Sequence, residues 1–133
     1  MKKILFLCRE NSARSQMAEG IVNSLFKDKY KAFSAGVELK EVHPLAIEVM
    51  KEIGIDISNH KSKHLNQFTG EEFDYVITVC AGDLKGTCPF FPGKAGKRLS
   101  WAIPDPAEKG DIESFRRARD EILERIKKEL MGI

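Results

Sequence analysis

The sequence predicts an α/β fold: a single three-layer domain over 1–133, with a small four-stranded parallel sheet and helices on both faces. Two observations carry this expectation, and a third points to a site within it. Short apolar runs alternate along the chain with segments of helical periodicity. The first run, KKILFLC, is nearly continuous in apolar residues, as a strand covered on both faces requires. Cys8 follows the first strand, Cys80 ends the strongest strand and Asp105 follows the last, and sites in parallel sheets open at strand carboxyl ends.

Each element follows from local chemistry. After KKILFLC, the segment SARSQMAEGIVNSLFKD carries Met17, Ile21 and Leu25 at helical spacing, with Ser12 or Ser15 near its start. YKAFSAG reads as a second short strand ending at Gly36. In HPLAIEVMKEIG, Pro44 suits a first helical position and Gly54 a stop. FDYVITVC is the strongest strand signal, with Val76, Ile77, Thr78 and Val79 in succession. From Cys80 to Pro104 the chain is rich in glycine and proline, with a short strand around KRLSW. From Asp111 onward, Ile112, Phe115, Ala118, Ile122, Ile126 and Leu130 mark a long amphipathic helix. Its charged residues are expected on the solvated side, in i,i+4 pairs.

Composition narrows the function. With 133 residues, 42% hydrophobic and 32% charged, the chain suits one compact soluble core. A net charge of +2, spread along the chain, gives no reason to expect nucleic acid or membrane as a partner. The opening MKKILFLCRE is too short for a signal peptide, because Arg9 and Glu10 end its apolar run, so a cytoplasmic location is expected. Three cysteines, Cys8, Cys80 and Cys88, do not make a secreted disulfide framework. They are packing thiols, metal ligands or redox groups. His60 and His64 are four apart and with Cys80 and Cys88 suggest zinc, but no paired C-x2-C supports it, so neither metal nor cofactor is expected. Trp101, Phe90 and Phe91 read as loop or core packing, or as a face presented to a partner.

The loop CRENSARS, comprising Cys8, Arg9, Glu10, Asn11, Ser12, Ala13, Arg14 and Ser15, is the chemical centre of the sequence. A helix starting near Ser12 or Arg14 aims backbone N–H groups at any tetrahedral oxyanion, helped by the helix dipole. Arg14 adds a bidentate, charge-assisted pair. The same positive surroundings favour the thiolate, and free thiols in such settings ionise at roughly pH 3.5–7.5. Ser15 is placed to donate to the Cys8 sulfur, making Cys8 a candidate nucleophile at a phosphorus or arsenic centre.

CRENSARSQMAEG, followed in order by SAG at 34–36, IDISNH at 55–60 and DPA at 105–107, resembles the low-molecular-weight tyrosine phosphatase fold in its thioredoxin-coupled arsenate reductase branch. The similarity covers essentially the whole chain. It implies Cys8 as nucleophile, Arg14 as oxyanion ligand, Asn11 as brace of the loop and Ser15 as support for the thiolate. It also implies Asp105 as general acid, where DP alone reads as a turn before a helix. The implied reaction converts arsenate to arsenite through a transient Cys8–Cys80 disulfide and then a Cys80–Cys88 disulfide reduced by thioredoxin. The loop between Gly82 and Gly86 would switch between ordered and displaced states. A monomer is expected.

Departures from the family pattern are specific. Ala13 stands where some relatives carry a further cysteine, and Cys80 and Cys88 are one residue further apart than in the reductases. Several relatives hold potassium with side chains matching Asn11, Glu19, Ser34 and an acidic residue. Lys63 stands at that acidic position, and its ammonium suits the cation's place, so no potassium site is predicted. A phosphatase of the same fold, acting on phosphotyrosine or small phosphoesters, needs only Cys8, Arg14 and Asp105. Against it, phosphatases usually have Pro where Gln16 stands and an aromatic residue where Ala107 stands. A non-enzymatic oxyanion or redox sensor is the third reading.

Overall fold

The computed structural model describes residues 1–80 and 89–132. Strands β1 (Lys2–Leu7), β2 (Tyr30–Ala35), β3 (Glu72–Thr78) and β4 (Lys94–Ser100) form one parallel sheet in the order β2-β1-β3-β4. The apolar run at the N-terminus therefore becomes a central strand, hydrogen-bonded on both sides. Helices α1 (Arg14–Leu25), α2 (Pro44–Lys51) and α3 (Ile112–Arg125) alternate with the strands, and α3 continues as a wider turn over Ile126–Leu130.

The side-chain alternation of β1 divides the core into two layers. Ile4, Phe6 and Cys8 face Met17 and Ile21 of α1, Met50 of α2, and Phe115 and Ile122 of α3. Leu5 and Leu7 face the opposite layer, with Leu65, Phe68 and Phe91. Full burial of a large apolar side chain such as Phe6, Met17 or Phe115 contributes about 1.5–3 kcal/mol relative to exposure. Both faces are thus covered, as expected. Among the described residues, however, the second face is covered by a 3-10 turn over Leu65–Phe68 and by Phe91 rather than by an α-helix. His64 caps that turn by accepting from Asn66 N–H at 3.1 Å.

Boundaries shift by a few residues from the sequence expectation. Helix α2 begins at Pro44, and Gly54 at φ +79° follows its end. Strand β4 starts three residues before KRLSW because backbone pairing to β3, from Glu72↔Lys94 onward, recruits residues of poor strand propensity. Its exposed lysines suit a sheet edge. Arg119 differs from the expected solvated face of α3. It is buried and donates to Val49 O at 2.8 Å and to Glu52 at 2.7 Å, tying α3 to α2, while Arg125–Glu129 keeps the i,i+4 pattern. Among the described residues, no helix is long and apolar enough to cross a membrane.

Candidate active site

β1 delivers Cys8 to the carboxyl edge of the sheet, where its N–H bonds Ala35 O at 3.3 Å. The next five residues turn sharply into α1. Asn11 takes φ +50°, a left-handed conformation that Asn tolerates better than most side chains. The segment after β2 clamps the turn from outside. Arg9 O accepts from Val37 and Glu38 N–H, Glu10 O from Lys40 N–H, and Ser12 O from His43 N–H. The Arg9 guanidinium also grips the Glu38 carboxylate at 2.7 and 3.0 Å. Gly36 makes this closeness possible, since a Cβ there would lie 2.7–2.9 Å from Arg9 O, Cys8 O and Asn11 N.

Inside the turn, one backbone donor fixes the direction of a whole hydrogen-bond chain. Lys63 N–H donates to Asn11 Oδ1 at 2.8 Å, so Asn11 Nδ2 must face Ser15 Oγ, also at 2.8 Å. The Ser15 oxygen accepts that bond, leaving its proton for Cys8 Sγ at 2.8 Å. Gln16 extends the chain outward. Its Nε2 sits among Asn11 O, Asn11 Oδ1 and Lys61 O at 2.9–3.1 Å, which turns Oε1 towards His60 Nδ1 at 3.0 Å. Both oxygens near His60 Nδ1, Gln16 Oε1 and Glu19 Oε2, are acceptors, so Nδ1 carries a proton. Burial pushes the His60 imidazole below its usual range, against the upward pull of Glu19.

Helix α1 starts at Arg14, and Ala13 at its N-cap offers no side-chain cap. The Ser12 hydroxyl instead donates to Glu41 O at 2.8 Å. The helix start thus faces a cavity of about 250 Å³ lined by Cys8, Arg14, Lys40, His43, Asp105 and Ala107, among others. Arg14 is held from behind by Ile103 O at 2.9 Å, and its Nη2 lies 3.9 Å from Asp105 Oδ2. Asp105 serves two ends: Oδ1 accepts from Ala107 N–H at 3.0 Å and caps the turn Pro106–Glu108, while Oδ2 faces Arg14. The turn reading of DP holds, and the same residue also faces Arg14 across the cavity.

Cys80 is buried in the same apolar cluster as Cys8. Its neighbour Val79 donates to Leu7 O at 2.9 Å, which sets the end of β3 beside the end of β1. Cys88 and the loop Gly82–Gly86 lie outside the described residues. Of the expected aromatic set, Trp101 and Phe91 are fully buried, whereas Phe90 is exposed with Arg98 4.6 Å over its ring. His60 and His64 go to separate partners, and among the described residues no group of three His, Cys, Asp or Glu side chains converges. Lys63 Nζ lies 3.3 Å from Glu19 Oε1, which also accepts from Ser34 Oγ at 2.7 Å. Sequence reasoning missed the roles of Gln16, His60 and His43 in this neighbourhood. The available signal concerned His43 alone: Pro44 at a first helical position makes the residue before it the cap.

The sequence profile of the low molecular weight phosphotyrosine protein phosphatase family matches residues 3–132. Arsenate reductase 2 of Staphylococcus epidermidis is 46% identical over 121 residues, spanning 91% of this chain and 90% of that protein. A solved arsenate reductase in the phosphate binding state superposes with a TM-score of 0.85 at 36% identity, over 100% of this chain and 99% of that one. The thioredoxin-dependent arsenate reductase of Corynebacterium glutamicum gives a TM-score of 0.69 at 30% identity, over 100% of this chain and 64% of that one. The strand-to-helix loop and the sequence likeness lead to one assignment: the chain belongs to the low molecular weight phosphotyrosine protein phosphatase family, in the branch that contains the arsenate reductases.

Proposed function

We propose that this chain is a single catalytic domain that reduces arsenate to arsenite, with thioredoxin as its reductant. Cys8 attacks arsenic while Arg14 and the start of α1 hold the oxygens. One As–O bond breaks, and Asp105 delivers the proton to the departing oxygen. The Cys80 thiolate then attacks Cys8 Sγ. The S–As bond breaks with its electron pair going to arsenic, arsenic(V) becomes arsenic(III), and a Cys8–Cys80 disulfide remains. Cys88 attacks Cys80 in turn, restoring the Cys8 thiolate and leaving a Cys80–Cys88 disulfide for thioredoxin. Arsenic takes two electrons as the Cys8–Cys80 disulfide forms, the exchange passes that oxidation to Cys80 and Cys88, and two thioredoxin thiols return the electrons.

The observation that carries this reading is the second buried thiol, Cys80, at the end of the strand next to that of Cys8 and in the same cluster. A phosphatase needs no such group. The working unit is proposed to be a monomer in the cytoplasm, where a reducing environment keeps Cys8 and Cys80 as thiols; the even charge balance supports neither nucleic acid nor membrane as partner. Phosphoester hydrolysis is the second reading, because Cys8, Arg14 and Asp105 alone suffice for it.

The two separate in one pair of variants. Cys80→Ser is expected to keep hydrolysis of an aryl phosphate and to lose arsenite production with thioredoxin. Cys8→Ser loses both. Full arsenate turnover by Cys80→Ser overturns the relay.

A further inference from the structure

We infer that His43 is a further substrate-contacting residue, donating from Nε2–H to an oxygen of the tetrahedral oxyanion held by Cys8 and Arg14. This extends the reading above by one residue that neither the motif nor the catalytic triad of groups assigns.

The argument begins at the helix it caps. His43 stands immediately before α2 in an extended conformation, φ −64° and ψ 133°, and its Nδ1 accepts from Leu45 N–H at 3.1 Å. A backbone N–H can only donate, so Nδ1 is bare, and the proton of the neutral ring sits on Nε2. Two more contacts fix the ring. Its backbone N–H donates to Ser12 O at 2.9 Å, joining it to the oxyanion loop. The Phe115 ring packs against it with centroids 4.6 Å apart. The cap, the loop contact and the aromatic neighbour therefore hold the imidazole in one place. It is half-buried, and it lines the same cavity as Cys8, Arg14 and Asp105. Among the described residues, Nε2 has no hydrogen-bond partner.

A fixed donor without a protein partner, on the wall of an oxyanion cavity, has its best acceptor in the oxyanion itself. Arg14 brings charge to the site. His43 brings a neutral donor of set direction from the opposite element, so the oxyanion is gripped by α1 on one side and the start of α2 on the other.

Two substitutions divide capping from substrate contact. His43→Asn keeps a strong helix cap but is too short to place a donor where Nε2 stands. His43→Gln puts its amide nitrogen near the Nε2 position and gives up the cap. Binding of inorganic phosphate is measured by calorimetry, beside thermal melting and the arsenate KM. His43→Asn is expected to melt like the parent and to bind phosphate roughly three- to tenfold more weakly, the range of one hydrogen bond. Its KM should rise with kcat little changed. His43→Gln is expected to melt lower and to bind phosphate near the parent level. Parent-level phosphate affinity in His43→Asn overturns the inference, as does an equal loss in both variants or an absence of phosphate binding by the parent. Phosphate binding needs no turnover, so a parent that binds phosphate yet makes no arsenite overturns the reductase reading and leaves His43 to be judged separately.

Discussion

The Ser15 hydroxyl lies 2.8 Å from Cys8 Sγ and 2.8 Å from Asn11 Nδ2, and because the amide nitrogen can only donate, the hydroxyl proton belongs to the sulfur. The direction is enforced from outside by Lys63 N–H, which occupies Asn11 Oδ1 at 2.8 Å. A thiolate at Cys8 would therefore meet a donor already in place. Ser15→Ala removes that bond, and hydrogen bonds to charged groups contribute about 1.5–3 kcal/mol. Alkylation of Cys8 by iodoacetamide near pH 6.5 should slow by about tenfold or more. Asn11→Asp should slow it comparably, because a carboxylate in place of Nδ2 draws the Ser15 proton away from the sulfur. Unchanged alkylation in both variants would show that the chain does not act on Cys8.

Much of this was legible beforehand, and the reasons differ by residue. The placement of Cys8, Arg14 and Asp105 around one cavity is readable because strand ends and helix starts are local patterns. KKILFLC announced a strand covered on both faces because such strands lose the polar alternation. Lys94–Ser100 was only half readable, since its strand conformation comes from pairing to β3 rather than from Lys94, Ala95 and Gly96 themselves. The outward chain from Cys8 was not readable. Gln16 and His60 are 44 positions apart, and only the packing of the loop 57–63 against α1 brings them to 3.0 Å. Arg119 was misplaced for a similar reason. Helical periodicity puts it at the polar margin, but Glu52 and Val49 O, at the end of α2, draw it into the interface.

That interface makes a pH prediction. Glu52 accepts from Arg116 at 2.7 and 3.1 Å and from Arg119 at 2.7 Å, and these hydrogen bonds lower its carboxyl from 4.5 to about 2. A depressed carboxyl stabilises the fold above its unfolded value and loses that contribution as pH falls through the folded value. Glu52→Gln should therefore melt below the parent at pH 7. The gap should narrow between pH 4.5 and 2 and close near the bottom of that window. A gap that stays constant across acid pH would mean that the two arginines do not act through the Glu52 charge.

Lys63 carries the last prediction. Its ammonium lies 3.3 Å from Glu19 Oε1 and 3.2 Å from Lys61 O, within a pocket where Ser34 and His60 also meet the Glu19 carboxylate. The Glu19 side chain is only 12% exposed, so its charge depends on fixed partners. Lys63→Ala removes one positive charge and leaves oxygens from Glu19 and Lys61 facing the vacated volume. The variant should lose roughly 1–3 kcal/mol of stability, the cost of leaving a largely buried charge underpaired. Oxygen donors around a net negative charge suit a monovalent cation. Potassium chloride should therefore restore part of the melting temperature in Lys63→Ala, where choline chloride at equal ionic strength does not, and the parent should not distinguish the two salts. An equal response of Lys63→Ala to both salts would show that Lys63 screens charge without filling a cation's place.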